Sequence, residues 1–142
     1  MRLELTRRAD YGVRAMVALA SAGDERLSSP QIAARTASPR AFVGQVMRDL
    51  VASGLVEGRT GRTGGYRLAR PATRISILDI VEAVEGDARR RTCVLRGGAC
   101  ARNGACAVHE IFSGAQDALL DRLARSTLAS AAGSGAERPS AA

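Results

Sequence analysis

The sequence predicts a mainly α fold with one small two-stranded hairpin and a long helix near the C-terminus. Two observations support this prediction. Apolar residues recur at helical spacing in five stretches, and a Gly-rich stretch among them has the pattern of a hairpin. The chain has 142 residues and only 3% aromatics, so it is about one domain long and its core must consist of Leu, Ile, Val and Ala. Such cores suit closely packed helices, and pairing of two copies would bury more surface.

The first part of the chain predicts three helices. Residues 6–21 form the first helix, with a threonine at its start as N-cap. The second helix begins after Ser28, which forms a capping box with Gln31. The third helix is capped by Ser38 and has Pro39 in its first turn. Two short helices joined by a tight turn predict a helix-turn-helix.

The end of the third helix leads directly into the hairpin. Phe42, Val46 and Leu50 recur at a spacing of four as an apolar face, and Gly54 ends the helix. Residues 55–68 then alternate as two short strands around a Gly- and Arg-rich tip. A helix-turn-helix followed at once by such a hairpin is a winged helix-turn-helix with a small two-stranded wing.

The second half predicts two more helices. Residues 76–86 form one, with Leu78 and Val81 turned inward. From Val108 a long amphipathic helix follows, and its apolar stripe has little to pack on except a second copy, so we interpret it as a dimerisation helix. The predicted organisation is a winged-helix DNA-binding domain, a cysteine loop, the dimerisation helix and a disordered tail, at residues 1–86, 87–106, 107–130 and 131–142.

Charge is distributed unevenly along the chain. All 21 basic residues are arginines, and the formal net charge is +7. Residues 1–75 carry 13 arginines against six acids, whereas residues 76–142 carry eight of each. The positive excess therefore lies in the N-terminal half, as expected if that half faces a polyanion such as DNA. A basic surface that only keeps the protein soluble is the alternative that composition leaves open.

The helix pair and the wing provide a candidate DNA-binding surface. The second helix of such a pair enters the major groove, and a narrow basic wing suits the minor groove. Arg40 can bond to guanine or phosphate, Gln45 can pair with adenine, and Arg48 lies nearer the phosphates. The predicted contacts are Ser38, Arg40, Ala41, Gln45, Arg48, Arg59, Thr60 and Arg62. The alternative is a winged helix that serves as the docking platform of a redox carrier or assembly factor.

All three cysteines and the only histidine lie in CVLRGGACARNGACAVH, with the spacing Cys93-x6-Cys100-x5-Cys106-x2-His109. A disulfide would leave one thiol over. Zinc accepts three thiolates and an imidazole, but zinc modules usually take close ligand pairs, and only Cys106 and His109 are that close. The wide, glycine-containing gaps favour an iron–sulfur cluster. Zinc, or thiols that bind no metal, are the alternatives.

The sequence disfavours several other classes of protein. No stretch approaches the roughly 20 apolar residues that span a membrane, and the start MRLELTRRAD lacks the apolar region of a signal peptide. An odd number of cysteines argues against a secreted disulfide scaffold. The cysteine segment offers no third group to orient a catalytic cysteine and its base. We therefore expect a cytoplasmic protein that is not an enzyme.

Three stretches of the sequence, within about residues 1–130, together resemble the Rrf2 family of bacterial transcription regulators. They are MRLELTRRADYGVRAM, LSSPQIAARTASPRAFVGQVMRDLVASGLVEGRTGRTGGYRLARP and ISILDIVEAVEG, and the three cysteines follow them. The resemblance implies a homodimer that binds a palindromic double-stranded DNA operator and acts as a repressor. It also implies an iron–sulfur cluster that senses nitric oxide, redox state or iron and cluster status and thereby alters DNA affinity.

The resemblance also implies metal ligands, which are Cys93, Cys100, Cys106 and His109. His109 matches the fourth ligand of the IscR type, which holds a 2Fe–2S cluster, although the first gap here is one residue longer. In the NsrR type, the cluster is 4Fe–4S, and Asp10 stands at about the place of an aspartate that the partner subunit supplies. We favour His109, because Asp10 is also spaced to pair with Arg14. IscR-type proteins carry glutamate where this chain has Gly44, so no operator sequence is implied.

Overall fold

The computed structural model describes residues 5–88, 93 and 106–136. These residues form six α-helices, one antiparallel hairpin and a short 3-10 turn, which confirms the predicted mainly α fold. In chain order the elements are α1 (Arg7–Ala22), α2 (Ser29–Thr36), α3 (Arg40–Ala52), β1 (Val56–Arg59), β2 (Gly65–Leu68), the 3-10 turn (Ala72–Arg74), α4 (Ile77–Glu85), α5 (His109–Arg125) and α6 (Leu128–Ala136).

The predicted starts of α1 and α2 are confirmed. The Thr6 hydroxyl accepts a hydrogen bond from the Ala9 backbone N–H at 3.2 Å. Ser28 and Gln31 form the expected reciprocal capping box, since each side chain accepts from the backbone N–H of the other residue. Ala37 then adopts a left-handed conformation with φ of 50°, which turns the chain sharply into α3. The two caps fix where α1 and α2 begin, and the turn at Ala37 separates the two helices of the helix-turn-helix.

The predicted cap of α3 is wrong. The N-cap position is Pro39, and no side chain caps this end of the helix. Ser38 is instead buried, and its hydroxyl lies 2.9 Å from the hydroxyl of Thr36, which donates to the carbonyl of Ile32 at 2.8 Å. Ser38 therefore forms a buried polar pair with Thr36 inside the tight turn, because it lies in the turn and not at the N-cap of α3.

The winged domain has a continuous aliphatic core to which α1, α3 and α4 all contribute. The buried face of α3 consists of Val43, Val46, Met47 and Leu50. Phe42 was expected on that face but is 48% exposed, so this part of the predicted stripe is wrong. Each residue advances a helix by about 100°, which places position 42 at the flank of the buried face, beside α1.

The wing is confirmed as an antiparallel pair, in which Glu57 lies opposite Arg67. A third backbone segment is joined to it at Leu27. The Leu27 N–H donates to the Tyr66 carbonyl at 3.0 Å, and the Tyr66 N–H donates to the Leu27 carbonyl at 2.8 Å. The wing is thereby attached to the loop that precedes the helix-turn-helix, and this attachment fixes its direction relative to α3.

The predicted C-terminal organisation is partly wrong. The helix expected over 107–130 ends at Arg125, and α6 occupies part of the segment that was expected to be a disordered tail. Between the two helices, residues 126–128 pair with residues 75–77: Ile77 N–H donates to Ser126 O at 2.9 Å, and Leu128 N–H donates to Ile75 O at 2.8 Å. Leu128 is fully buried and α6 packs on α1. Residues 137–142 lie outside the described part of the chain.

No helix in the described residues is both long enough and apolar enough to cross a membrane.

Candidate DNA-binding surface and cysteine segment

The outward face of α3 carries the predicted major-groove contacts. Arg40, Ala41, Gln45 and Arg48 are all exposed, because the opposite side of the helix is committed to the core. Ser38, the remaining predicted contact of this group, is 8% exposed and its hydroxyl is engaged with Thr36. The structure therefore brings four of these side chains onto one accessible surface and gives the serine an internal position.

The tip of the wing carries the other predicted contacts, and Arg59, Thr60 and Arg62 are exposed there. Glycines make this narrow tip possible. Gly65 has φ of 121°, and a Cβ at Gly64 would lie 2.3 Å from the Arg59 carbonyl oxygen. Side chains at these positions would clash with the backbone of the opposite strand or demand a strained conformation. The glycines thus permit a short loop from which only basic and hydroxyl side chains project.

The base of the wing is held by a three-residue ion-pair group that the sequence analysis did not identify. The Glu57 carboxylate accepts from Arg67 at 2.8 Å and from Arg26 at 3.4 Å. Arg26 also donates to the Gly65 carbonyl at 3.2 Å. The hydrogen bond and the charge of Arg67 lower the pKa of Glu57 below its ordinary value, with a further contribution from Arg26. Arg26 lies 31 residues from Glu57, so no local spacing signals this contact.

The arginines that were predicted to contact DNA have no acidic partner among the described residues. Within the described ranges, Arg40, Arg48, Arg59 and Arg62 form no ion pair with a carboxylate, whereas Arg8, Arg14, Arg26 and Arg67 all do. Arg8 joins α1 to α3, Arg26 and Arg67 hold β1, and Arg14 pairs within α1. The guanidinium groups of the other four arginines lie on the outward side of α3 and at the wing tip, which is where a polyanion would meet the domain.

The start of α1 is fixed by ion pairs. Arg8 pairs with Asp49 of α3, and Arg14 donates to Asp10 at 2.9 Å one helical turn away. The predicted pairing of Asp10 with Arg14 is therefore confirmed. Its alternative role as a ligand supplied to a partner subunit stays a prediction, and it would require this ion pair to open.

Part of the cysteine segment is described. Cys93 and Cys106 are half-buried free thiols, and Cys100 lies outside the described residues. His109 is the first residue of α5. Its backbone N–H donates to the backbone carbonyl of Cys106 at 3.0 Å, so a single turn of the chain separates the two residues. The His109 Nε2 lies 3.5 Å from the Ser113 hydroxyl.

The donor set fits a metal centre in its chemistry. Thiolate and imidazole are ligands of iron–sulfur clusters and of zinc. Cys93 and Cys106 are free thiols, and both of them and His109 are partly accessible to solvent. Among residues 5–88, 93 and 106–136 no three such side chains are gathered within reach of one ion. The third thiol of the set, Cys100, belongs to the segment between these ranges.

Comparison with known proteins identifies the family. The family model Rrf2, described as iron-dependent transcriptional regulator, matches residues 5–133. The rrf2 protein of Nitratidesulfovibrio vulgaris is 30% identical over 128 residues, which cover 89% of this chain and 85% of that protein. Two Mycobacterium tuberculosis relatives are 38% identical over 85 residues, and the match covers 53% of their length and 59% of this chain. The chain thus spans about half the length of these two relatives.

Solved structures confirm the fold. CymR of B. subtilis, named as the global cysteine regulator, superimposes with a TM-score of 0.81 at 25% identity, covering 94% of this chain and 98% of that one. IscR of T. potens gives a TM-score of 0.77 at 25% identity, covering 96% and 93%. The oxidized form of Staphylococcus aureus CymR gives a TM-score of 0.74 at 26% identity, covering 92% and 96%. The Mycobacterium tuberculosis relatives are named as putative HTH-type transcriptional regulators and CymR of B. subtilis as a regulator, which agrees with the expectation that this chain is not an enzyme.

Proposed function

The chain belongs to the Rrf2 family, and from this premise we propose that it is a dimeric, cytoplasmic, DNA-binding transcription regulator. It acts as a repressor, and an iron–sulfur cluster that responds to nitric oxide, redox state or iron and cluster supply controls its operator affinity. The observation that carries the proposal is the surface formed by the outward side of α3 and the wing tip, where the arginines have no acidic partner in the described part of the chain.

DNA binding follows from the shape and charge of this surface. With α3 in the major groove, Arg40 is placed at the helix start to contact guanine or a phosphate, and Gln45, one turn on, to contact adenine. Arg48 lies farther along the helix, toward the phosphates. The wing projects Arg59 and Arg62 from a loop narrow enough for the minor groove.

Dimerisation would explain the surface of α5. This helix has 17 residues, and none of them is buried within the described chain. Ile111 is 69% exposed and Leu119 is 43% exposed, which is an unfavourable arrangement for large apolar side chains in water. A second copy packed against α5 would bury them. Because such a pair is symmetric, it would present two recognition helices to a palindromic operator.

The cysteine segment would hold the cluster. The proposed ligands are Cys93, Cys100, Cys106 and His109, with a 2Fe–2S cluster favoured and a 4Fe–4S cluster as the alternative. The family's description as iron-dependent supports this assignment, as does the likeness to an IscR structure. When bound, the cluster would supply a redox-active inorganic centre that can be lost or modified. Asp10 is the alternative fourth ligand from the partner subunit, but its ion pair with Arg14 favours His109.

A backbone connection supports control of DNA binding from this segment. α5 begins at His109, beside the cysteines, and it ends at the residues that pair with Ile75 and Ile77. Ile75 lies between β2 of the wing and α4, and Ile77 is the first residue of α4. A displacement of the cysteine end of α5 would therefore move both the proposed dimer surface and the backbone that pairs with residues 75–77 of the winged domain.

A second candidate keeps the same DNA-binding domain but changes the sensor. Cys93 and Cys106 are free and partly accessible, and the structural neighbour CymR of Staphylococcus aureus is named in an oxidized form. A zinc-bound or metal-free regulator that responds to thiol oxidation is consistent with both observations. It would purify without iron and sulfide. A redox carrier or assembly factor that does not bind DNA is less well supported, because it gives the unpaired arginines no role.

DNA binding can be tested with duplex DNA that the wild-type protein has selected from a random pool. Arg59→Ala combined with Arg62→Ala should weaken binding to all sequences and reduce the slope of log K against log salt by about 2, because two positive charges that would offset phosphate charge along the minor groove are lost. Arg122→Ala combined with Arg125→Ala serves as the matched control, since it removes the same two charges from the end of α5. Failure of the wild type to select any sequence, or an equal effect of the wing double variant and of its control, would contradict the proposal.

Ligand assignment can be tested by iron, sulfide and zinc analysis of anaerobically purified protein. Substitution of a cysteine ligand should abolish the visible absorption of the cluster. His109→Ala should change it, and Asp10→Ala should leave it unchanged. The reverse result for these last two variants would assign the fourth ligand to the partner subunit. Colourless protein with stoichiometric zinc would favour the second candidate.

A further inference from the structure

One aromatic side chain on α3 is not needed by the core. Phe42 is 48% exposed, although the next residue, Val43, and the residues that follow at helical spacing are buried. It lies in the first turn and a half of α3, next to Ala41 and three residues before Gln45. The ring is thus on the part of the recognition helix that approaches the DNA most closely in a helix-turn-helix complex.

The Phe42 ring packs against Tyr11 of α1. Its centroid lies 5.6 Å from that of Tyr11, with the two planes tilted by 44°, an arrangement favourable for aromatic pairs. Tyr11 belongs to α1, whose neighbouring residues Ala9 and Ala15 are buried in the core. Tyr11 of α1 therefore contacts one side of the Phe42 ring, while about half of the residue remains exposed to solvent. Such a side chain loses little conformational freedom when a partner covers it.

The chemistry of the neighbouring side chains indicates what the ring would meet. In the major groove, the C5-methyl group of thymine is the one apolar feature of the base edges, and phenylalanine contacts it favourably. Gln45, on the next turn, can form two hydrogen bonds with adenine. An A·T-containing step presents both features side by side. Phe42 and Gln45 would then read the methyl group and the adenine edge together.

We propose that Phe42 is a specificity-determining residue that contacts the methyl group of a thymine in each operator half-site. This proposal rests on the proposed DNA-binding function and adds a base preference to it. It assigns to Phe42 a direct contact with the DNA and to Tyr11 a positioning role behind it.

The test replaces thymine by deoxyuridine in the selected operator, one symmetric pair of positions at a time, and so removes only the methyl group. At one pair the wild-type affinity should fall about fourfold per half-site, or about 16-fold in total, as expected for one buried methyl group in each. Phe42→Ala should bind the thymine and deoxyuridine operators equally. Its affinity for unrelated DNA at low salt should match that of the wild type, since no charge has changed.

Val51→Ala is the matched control. Val51 is an apolar residue near the other end of α3, 38% exposed, and its substitution should leave the discrimination between thymine and deoxyuridine intact. Tyr11→Leu should reduce this discrimination while Phe42 is still present, which a purely structural role of the ring pair would not produce. Phe42→Leu, which keeps an apolar side chain, should retain part of it.

Two results would overturn the proposal while leaving the DNA-binding function in place. One is a wild-type protein that selects an operator but is indifferent to deoxyuridine at every thymine. The other is Phe42→Ala protein that still discriminates as the wild type does. A wild type that selects no DNA sequence at all would instead contradict the proposed function itself. The wild-type measurement changes only the DNA, so it does not depend on whether any variant folds.

Discussion

The winged domain and α5 differ in how their apolar residues are covered. In the winged domain, Met16, Met47 and Leu50 are completely buried by neighbours from the same chain. In α5 no residue is buried in the described structure, and Ile111 and Leu119 remain exposed. The first region has a closed core, to which Leu128 of α6 also contributes, whereas α5 has apolar side chains that the described residues of a single copy leave uncovered. The comparison supports the proposal that a second copy of the chain covers the apolar surface of α5.

The largest expected effect comes from the same substitution made in the two regions. Leu50→Ala should lower the free energy of unfolding by about 2–5 kcal/mol, because a fully buried side chain leaves a cavity. Leu119→Ala should lower the free energy of unfolding much less when it is measured at low protein concentration. Urea unfolding at several concentrations would check both values. A loss of stability that depends on protein concentration for Leu119→Ala only would support the difference between the two regions. Equal losses of stability in both variants would contradict it.

The next effect concerns assembly. Ile111→Asp should weaken dimerisation about 100-fold or more, because it places a carboxylate in the apolar surface of α5. The far-UV circular dichroism of the winged domain should be unchanged. Sedimentation velocity over a range of concentrations would measure the dimer constant. Asp121→Asn, on an exposed and ion-paired position of the same helix, is the control and should leave it unaltered. An Ile111→Asp protein that remains dimeric would show that the subunits meet elsewhere.

A smaller effect is expected at the wing. Gly65→Ala should destabilise the protein by about 1–3 kcal/mol, because φ is 121° there and a Cβ would lie 2.9 Å from the Leu27 carbonyl oxygen. Gly44→Ala should instead stabilise α3 by about 0.5–1 kcal/mol, since this helical glycine has open space around it. Thermal unfolding of both variants gives the comparison. Equal and small shifts would mean that the wing tolerates side chains at its close approach.

The smallest effect is pH-dependent. The pKa of Glu57 is lowered in the folded protein, chiefly by Arg67, so its contribution to stability is present above the pKa of the unfolded chain and is lost as the pH falls through the folded value. Wild type should therefore be slightly more stable than Glu57→Gln at neutral pH, and the difference should vanish in acid well below the ordinary value of 4.5. Because the group is exposed, 1 M salt should also reduce the difference. A difference that persists in acid would exclude an ionic cause.

Local signals in the sequence predicted most of the winged domain. The cap at Thr6, the capping box at Ser28 and the glycine-rich hairpin depend on residues within a few positions of each other, and all three were confirmed. The cap at Ser38 was wrong because the same residue type can also satisfy a polar pair in a turn. Local spacing does not decide between these roles.

Contacts between distant residues could not be predicted. The pairing of residues 126–128 with residues 75–77 ends α5 and starts α6, and it joins segments about 50 residues apart. The link from Arg26 to Glu57 is of the same kind. For the candidate site, the charged positions on α3 and the wing followed from the sequence, whereas the exposure of Phe42 required knowledge of where α1 packs.

The most direct test of the regulatory account measures DNA affinity in two states of the same protein. Anaerobically purified wild type is titrated with its selected operator before and after removal of iron and sulfide. The account predicts a change of about 5- to 150-fold, the usual range for coupled binding sites, together with no such change in Cys93→Ser. Equal affinity of the two wild-type states, or protein that never contains iron and sulfide, would contradict it.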